Sequence, residues 1–396
     1  MGHKPWEPFK RELAKAESEG VLRRLRLHDP SGADGIELIE GSPVISFGSN
    51  DYLGLTRHPA VKQAAVSAVE RYGWGSGASR LVTGHTPPHE EFENRIAAYL
   101  SKPAALLYSS GYAANVGVLT ALLGRHDAVY ADRLLHASII DGARFSGASL
   151  HRFSHNDPES LRKILCANPP GPGGRRLVAT EGVFSMDGDL APLKELALIA
   201  KEHGALFMVD DAHGVGLFGL GGKGVVHLAG VEDMVDIHII TLGKAFGGMG
   251  GVVAASQTFI NGLVNYSRSF IYSTAAPPAT ASAATAALDI IESPEGERLR
   301  ALLWRNVDKI VSKLKELCYD IGRTQSQIVP IIVGREADVT KAQGFLLSKG
   351  THIPAIRPPT VPKGTARFRM SVTAGHTEGH LDKAVDVLSE LKPLLG

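Results

Sequence analysis

Apolar residues recur at two different periods along this chain, and the alternation between them outlines a fold. "PAVKQAAVSAVERYG" (59–73) and "HEEFENRIAAYL" (89–100) space their apolar positions by three and four residues and read as helices. Short apolar runs bounded by turn residues follow in "AALLYSS", "DAVYAD", "SLHRFSH", "RLVATEGVF", "ALFMVDDAHG", "VDIHIITLGK" and "GGVVAAS". Helical patterns lie between several of them, most plainly "LKELALIAKEHG" (193–204). Continuous apolar strands separated by helices predict an α/β architecture, with a mostly parallel sheet covered on both faces.

Near residue 290 the texture changes. "SPEGERLRALLWRNVDKIVSKLKEL" (293–317) is a long amphipathic helix that opens on Ser-Pro. A strand in "QIVPIIVG", a helix, the Pro-rich loop "IPAIRPPTVPKGTAR", a strand in "FRMSVTA" and a final helix complete the chain. The expected organisation is an arm or cap over 1–50, a large domain over 51–290 and a smaller C-terminal α+β domain over 291–396.

Composition narrows the class without naming a chemistry. The 396 residues are 44% hydrophobic and 21% charged, and 42 Lys+Arg against 41 Asp+Glu leave a net charge of +1 with no basic block. That balance argues against a nucleic-acid or anionic-membrane surface. Cys166 and Cys318 are far apart and share no CxxC spacing, as expected of a reducing compartment. No apolar run reaches about 18 residues, the length a membrane span needs. The charged opening "MGHKPWEPFKRELAKAESEG" lacks a signal-peptide core. A cytoplasmic protein is the expectation, with no metal among its ligands.

The polar residues that are expensive to bury sit where apolar runs finish. Asp210 follows "ALFMV", Thr241 and Lys244 follow "IHII", Ser185 lies beyond "LVATEGVF", and Ser109-Ser110-Gly111-Tyr112 follow "AALLY". Open parallel sheets bind ligands outside the carboxyl ends of their strands. A nucleotide P-loop fails at Lys244, since His238 stands where its first glycine belongs and Ala245 where Ser or Thr should be. Two readings remain for Lys244: a solvated loop lysine, or a Schiff-base amine activated by desolvation. The second suits pyridoxal phosphate, which also needs an acid for its ring nitrogen and donors for its phosphate. Asp210 could be that acid, or else a paired core carboxylate or helix cap. Gly111 and Tyr112 open an Ala-rich helix, whose free amides suit an anion.

Taken together, "SNDYLGL" (49–55), "SSGYAAN" (109–115), "TEGVFSMDGDLAPL" (180–193), "VDDAHGVGLFG" (209–219), "TLGKAFGG" (241–248) and "RPPTVPKGTARFRMSVTAGHT" (357–377) resemble the α-oxoamine synthases. These are fold type I pyridoxal phosphate enzymes, and the likeness runs from about residue 20 to the C-terminus. It implies a cofactor held by Lys244, with Asp210 at the pyridine nitrogen, His136 stacked on the ring, and His213 and Ser185 near its phenolic oxygen. Thr241 would bind phosphate with the Gly111 and Tyr112 amides. Ser273 and Thr274 would reach the phosphate of a neighbouring subunit, which implies a homodimer with shared active sites. Arg369, assisted by Asn50, would take the amino-acid carboxylate, while Thr360 and Arg23 would contact the acyl substrate. Arg367 shares a strand face with Arg369, so the choice between them rests on the resemblance. Within the family the motifs look like the branch that condenses L-alanine with pimeloyl-CoA or a pimeloyl-carrier protein. The glycine-using branch reads closer to "DDSHAVG", and Ala212 and Gly214 depart from it.

Overall fold

The computed structural model describes residues 5–18, 22–32 and 35–395. A helix, Glu7–Ser18, is followed by three short strands, β1 (His28–Asp29), β2 (Ile36–Ile39) and β3 (Ser42–Ser46). Seven strands then build the central sheet: β4 (Ala104–Tyr108), β5 (Ala128–Asp132), β6 (Ser149–Phe153), β7 (Arg176–Glu181), β8 (Leu206–Asp210), β9 (Ile237–Thr241) and β10 (Gly251–Ala255). The remaining strands are β11 (Ile328–Gly334), β12 (Thr351–His352), β13 (Ala355–Ile356) and β14 (Ala366–Ser371).

In the central sheet the order is β4-β10-β9-β8-β7-β5-β6. Every pairing from β9 to β6 is parallel, and β10 alone runs against both its neighbours. All five residues of β5 and of β10 are buried, so both faces of the sheet are covered. That burial explains why these strands read as unbroken apolar runs. The helices Gly111–Leu122, Ala137–Ser146, Pro158–Ala167 and Leu193–Glu202 carry the chain between successive strands. This is the fold type I arrangement, with strand carboxyl ends gathered along one edge.

After the sheet, helix Pro294–Glu316 starts where its chemistry dictates. The Ser293 side chain accepts the amides of Glu295 and Gly296, proline occupies the first turn, and Glu295 and Glu297 meet the positive end. Beyond it a three-stranded antiparallel sheet, β11-β14-β13, forms the smaller α+β unit. Strand β12 leaves that unit to pair in parallel with β3, so one small sheet joins N-terminal and C-terminal segments. Among the described residues no helix is long and apolar enough to cross a membrane.

Candidate active site

Five strands deliver polar side chains or a free backbone amide to one edge. Glu181 ends β7, Asp210 ends β8 and Thr241 ends β9, while His136 follows β5 and Gly111 follows β4. They line a cavity of about 180 Å³ with Tyr112, Asn115, Ser185, Ala212, His213, Ile240 and Lys244. Of the residues singled out in the sequence, eight therefore meet in one place: Gly111, Tyr112, His136, Ser185, Asp210, His213, Thr241 and Lys244.

Lys244 sits in a turn closed by the Gly247 amide, which donates to its carbonyl at 2.8 Å. Gly247 has φ 63°, and a Cβ there would stand 2.4 Å from the Thr56 nitrogen, so the turn requires glycine. Its amine has no hydrogen-bond partner among the described residues. Burial pulls its pKa below the usual lysine range, against the opposing pull of Asp210 and Glu181. Glu181 moves the other way: burial and the neighbouring Asp210 push its carboxyl up. The two acids are register partners on adjacent strands. Like charges so placed cannot both ionise freely.

Asp210 is buried and well held. Its Oδ2 accepts from Asn115 Nδ2 at 2.8 Å, and its Oδ1 accepts the Ala212 amide at 3.1 Å. Asn115 Nδ2 also donates to Ser138 Oγ at 2.9 Å, and that hydroxyl lies 2.7 Å from His136 Nδ1. The His136 amide donates to Glu181 Oε1 at 2.6 Å. His213 is fully enclosed, and burial holds its pKa well below the ordinary value. Its Nδ1 lies 2.7 Å from the Tyr52 hydroxyl, which also donates to Asn50 Oδ1 at 3.1 Å.

At the helix end, Ser110 Oγ accepts the Ala113 amide at 3.1 Å. The amides of Gly111 and Tyr112 have no intrahelical acceptor. Thr241 faces them, for a Cβ on Gly111 would lie 3.5 Å from Thr241 Oγ1.

Arg369 approaches from β14. Its Nη1 donates to Asn50 Oδ1 at 3.1 Å and Ser371 Oγ at 2.8 Å, and its Nε donates to the Ser185 carbonyl. All three acceptors are neutral. Arg367 instead pairs with Asp187 at 2.6 Å. Among the described residues, Arg369 is thus the buried cation left for an incoming carboxylate.

Six expected residues do not line this cavity, Arg369 among them. Arg23 and Thr360 are exposed; Ser273 is half-buried and Thr274 exposed, the latter bridged to Ser79. Asn50 acts through Arg369 and Tyr52 rather than lining the wall.

Other residues carry roles that sequence reasoning passed over. Glu181 closes an apolar run with a carboxylate, the same signal that drew attention to Asp210. Asn115 lies four residues after Gly111, hence on the same helix face. Tyr52 had no local signal, because His213 is 161 positions away.

This donor set fits pyridoxal phosphate: an unpaired amine, an anchored carboxylate, helix-end amides beside a hydroxyl, and a neutral imidazole. The aminotransferase class I and II family model matches residues 42–388. The chain is 46% identical over 390 residues to the 8-amino-7-oxononanoate synthase of Citrifermentans bemidjiense, covering 98% of this chain and 99% of that one. The chain belongs to the aminotransferase class I and II family, as an α-oxoamine synthase. A serine palmitoyltransferase from S. paucimobilis, solved with PLP and myriocin bound, superposes with a TM-score of 0.93 at 30% identity, covering 99% of this chain and 98% of that one. The 8-amino-7-oxononanoate synthase of Francisella tularensis gives 0.76 at 29% identity, covering 88% and 97%. Pyridoxal phosphate is the cofactor of this α-oxoamine synthase family.

Proposed function

We propose that this α-oxoamine synthase condenses L-alanine with a pimeloyl thioester, CoA or carrier-protein bound, releasing the free CoA or carrier thiol and carbon dioxide and forming 8-amino-7-oxononanoate for biotin synthesis. The observation that carries the reading is the 46% identity, over nearly the whole chain, to a synthase of that name.

Bound pyridoxal phosphate supplies an aldehyde for the amino group and an electron sink for charge on the substrate Cα. The rest falls to the chain. Lys244, its proton affinity lowered by burial, takes the Cα proton and returns it at the end. Asp210, fixed by Asn115 and the Ala212 amide, holds the cofactor's ring N–H. His136 covers the ring face, and Ser185 donates towards the ring oxygen beside His213, which Tyr52 orients. Thr241 and the Gly111 and Tyr112 amides take the phosphate. Arg369 grips the alanine carboxylate with a planar fork that Asn50 and the Ser185 carbonyl orient.

Ser273 and Thr274 lie away from their own chain's cavity, which supports a role at a second subunit's phosphate and hence a homodimer with shared sites. Thr360 and Arg23, both exposed, are assigned to the acyl substrate. Closure of the loop around Thr360 would exclude water from the reacting carbon.

The test pairs alanine, glycine and serine with pimeloyl, acetyl and long acyl thioesters. Alanine with the pimeloyl thioester is expected to turn over fastest, and faster glycine–acetyl turnover overturns the substrate reading. Lys244→Ala is expected to abolish turnover and the lysine-dependent visible band. Retention of both removes Lys244 from its role.

A further inference from the structure

Outside the cavity, a partly buried charged cluster joins the two loops that flank it. The imidazole of His155 lies between two carboxylates, with Nδ1 at 3.0 Å from Asp132 Oδ1 and Nε2 at 2.9 Å from Asp189 Oδ2. Asp132 is fully buried. It also accepts the amides of Leu134 and Asn156, at 2.8 and 2.9 Å. Asn156 Nδ2 donates to Asp189 Oδ2 at 2.9 Å and to the Leu190 carbonyl at 3.1 Å. Ionised carboxylates only accept, so both ring nitrogens of His155 must carry hydrogen. Burial opposes that charge, yet the hydrogen bonds to Asp132 and Asp189 raise the His155 pKa to about 10. Phe184 packs edge-on against the ring, centroids 4.4 Å apart.

What the cluster holds matters more than its own energy. Asp132 ends β5 and launches the four-residue path to His136. Asp189 belongs to the turn from Phe184, closed by Phe184 N–H to the Asp189 carbonyl at 3.0 Å and Gly188 N–H to the Phe184 carbonyl at 2.8 Å. That turn presents Ser185, whose carbonyl accepts from Arg369, and Asp187, which neutralises Arg367. One imidazolium therefore bolts the turn that aims Arg369 to the strand that delivers His136.

We propose that His155, locked between Asp132 and Asp189, is a positioning residue for the amino-acid carboxylate seat, acting through the Ser185 turn on Arg369. The proposal rests on Arg369 binding that carboxylate.

The test uses full-length, cofactor-loaded protein and reads binding rather than turnover. His155→Gln can reach one carboxylate but not both. Absorbance of the bound cofactor is followed while the protein is titrated with whichever of L-alanine, glycine or L-serine the unchanged protein takes up. A parallel titration uses ethylamine, which lacks a carboxylate. The expected result is amino-acid affinity weakened about tenfold, the scale of one disturbed charge-assisted hydrogen bond, with ethylamine affinity unchanged. Unchanged amino-acid affinity, or an equal loss for both ligands, overturns the proposal. If His155→Gln does not fold, the isosteric Asp189→Asn is read by the same criteria. Turnover of alanine with a pimeloyl thioester, measured on the unchanged protein, separates the substrate reading: it can fail while the titrations still decide the role of His155.

Discussion

Arg367 and Arg369 show how far a single residue's role depends on its neighbours. They are two positions apart on β14, share a face and are both buried. Nothing in "ARFRMS" distinguishes them. Asp187, 180 residues away, takes Arg367, whereas Arg369 meets only neutral oxygens. Arg369→Ala should raise KM for the amino acid by about two orders of magnitude, equivalent to two charge-assisted hydrogen bonds of about 1.5 kcal/mol each. KM for the acyl thioester should change little. Arg367→Ala should instead lower Tm and leave amino-acid KM within a few-fold of the unchanged value. Steady-state kinetics and a thermal melt on both variants check this; the reverse assignment of effects would exchange their roles. In the sequence, His213 was legible only through the resemblance, Lys244 by following an apolar run, and Asp210 by ending one. Glu181 carries the same mark, but its pairing with Asp210 appears only in the sheet register.

At the scale of elements, the parallel strands were legible because burial on both faces leaves no polar alternation to confuse them. The direction of β10 was not. Five small apolar residues fit either orientation, and only pairing with β4 and β9 decides it. That reversal brings the start of β10, rather than its end, to the active edge. Gly251 then abuts the entry to helix Gly111–Leu122, where a Cβ would lie 2.5 Å from the Ser110 carbonyl oxygen and 2.6 Å from the Gly111 nitrogen. Both are backbone atoms of the proposed phosphate cradle, so no side chain can swing aside. Gly251→Ala should cost about 1–3 kcal/mol of stability through overpacking. It should also weaken pyridoxal phosphate binding by about tenfold, the equivalent of about 1.4 kcal/mol. Cofactor titration and a melt are the measurements, and full-strength binding would show that the helix start tolerates displacement.

Across the whole molecule, buried and half-buried histidines set opposite pH limits. His89 and His376 each accept a backbone amide at Nδ1 and reach a carbonyl through Nε2, which fixes them neutral. Burial lowers both to about 4. Their unfolded value is about 6.5. Below about pH 6.5 the unfolded chain therefore gains protons that the folded one refuses, and stability falls towards pH 4. His155 has the opposite sign. Raised to about 10, its contribution is complete below about pH 6.5 and drains away as pH climbs to about 10. Tm should therefore decline on both flanks, and a melt series from pH 4 to 10 checks it. His155→Gln should flatten the alkaline flank and spare the acid one.

The candidate site is assembled from two unequal sources. Lys244, Asp210, Thr241 and Gly111 belong to the central sheet and its edge, while Arg369 arrives on β14 and is aimed by Asn50, which follows β3. On the proposed roles, cofactor capture and substrate sensing become separable stages in the life of one polypeptide. Under those roles, a newly made chain that has closed its large sheet but not yet seated β14 would already carry the lysine and acid for the cofactor, yet lack the arginine for the amino acid.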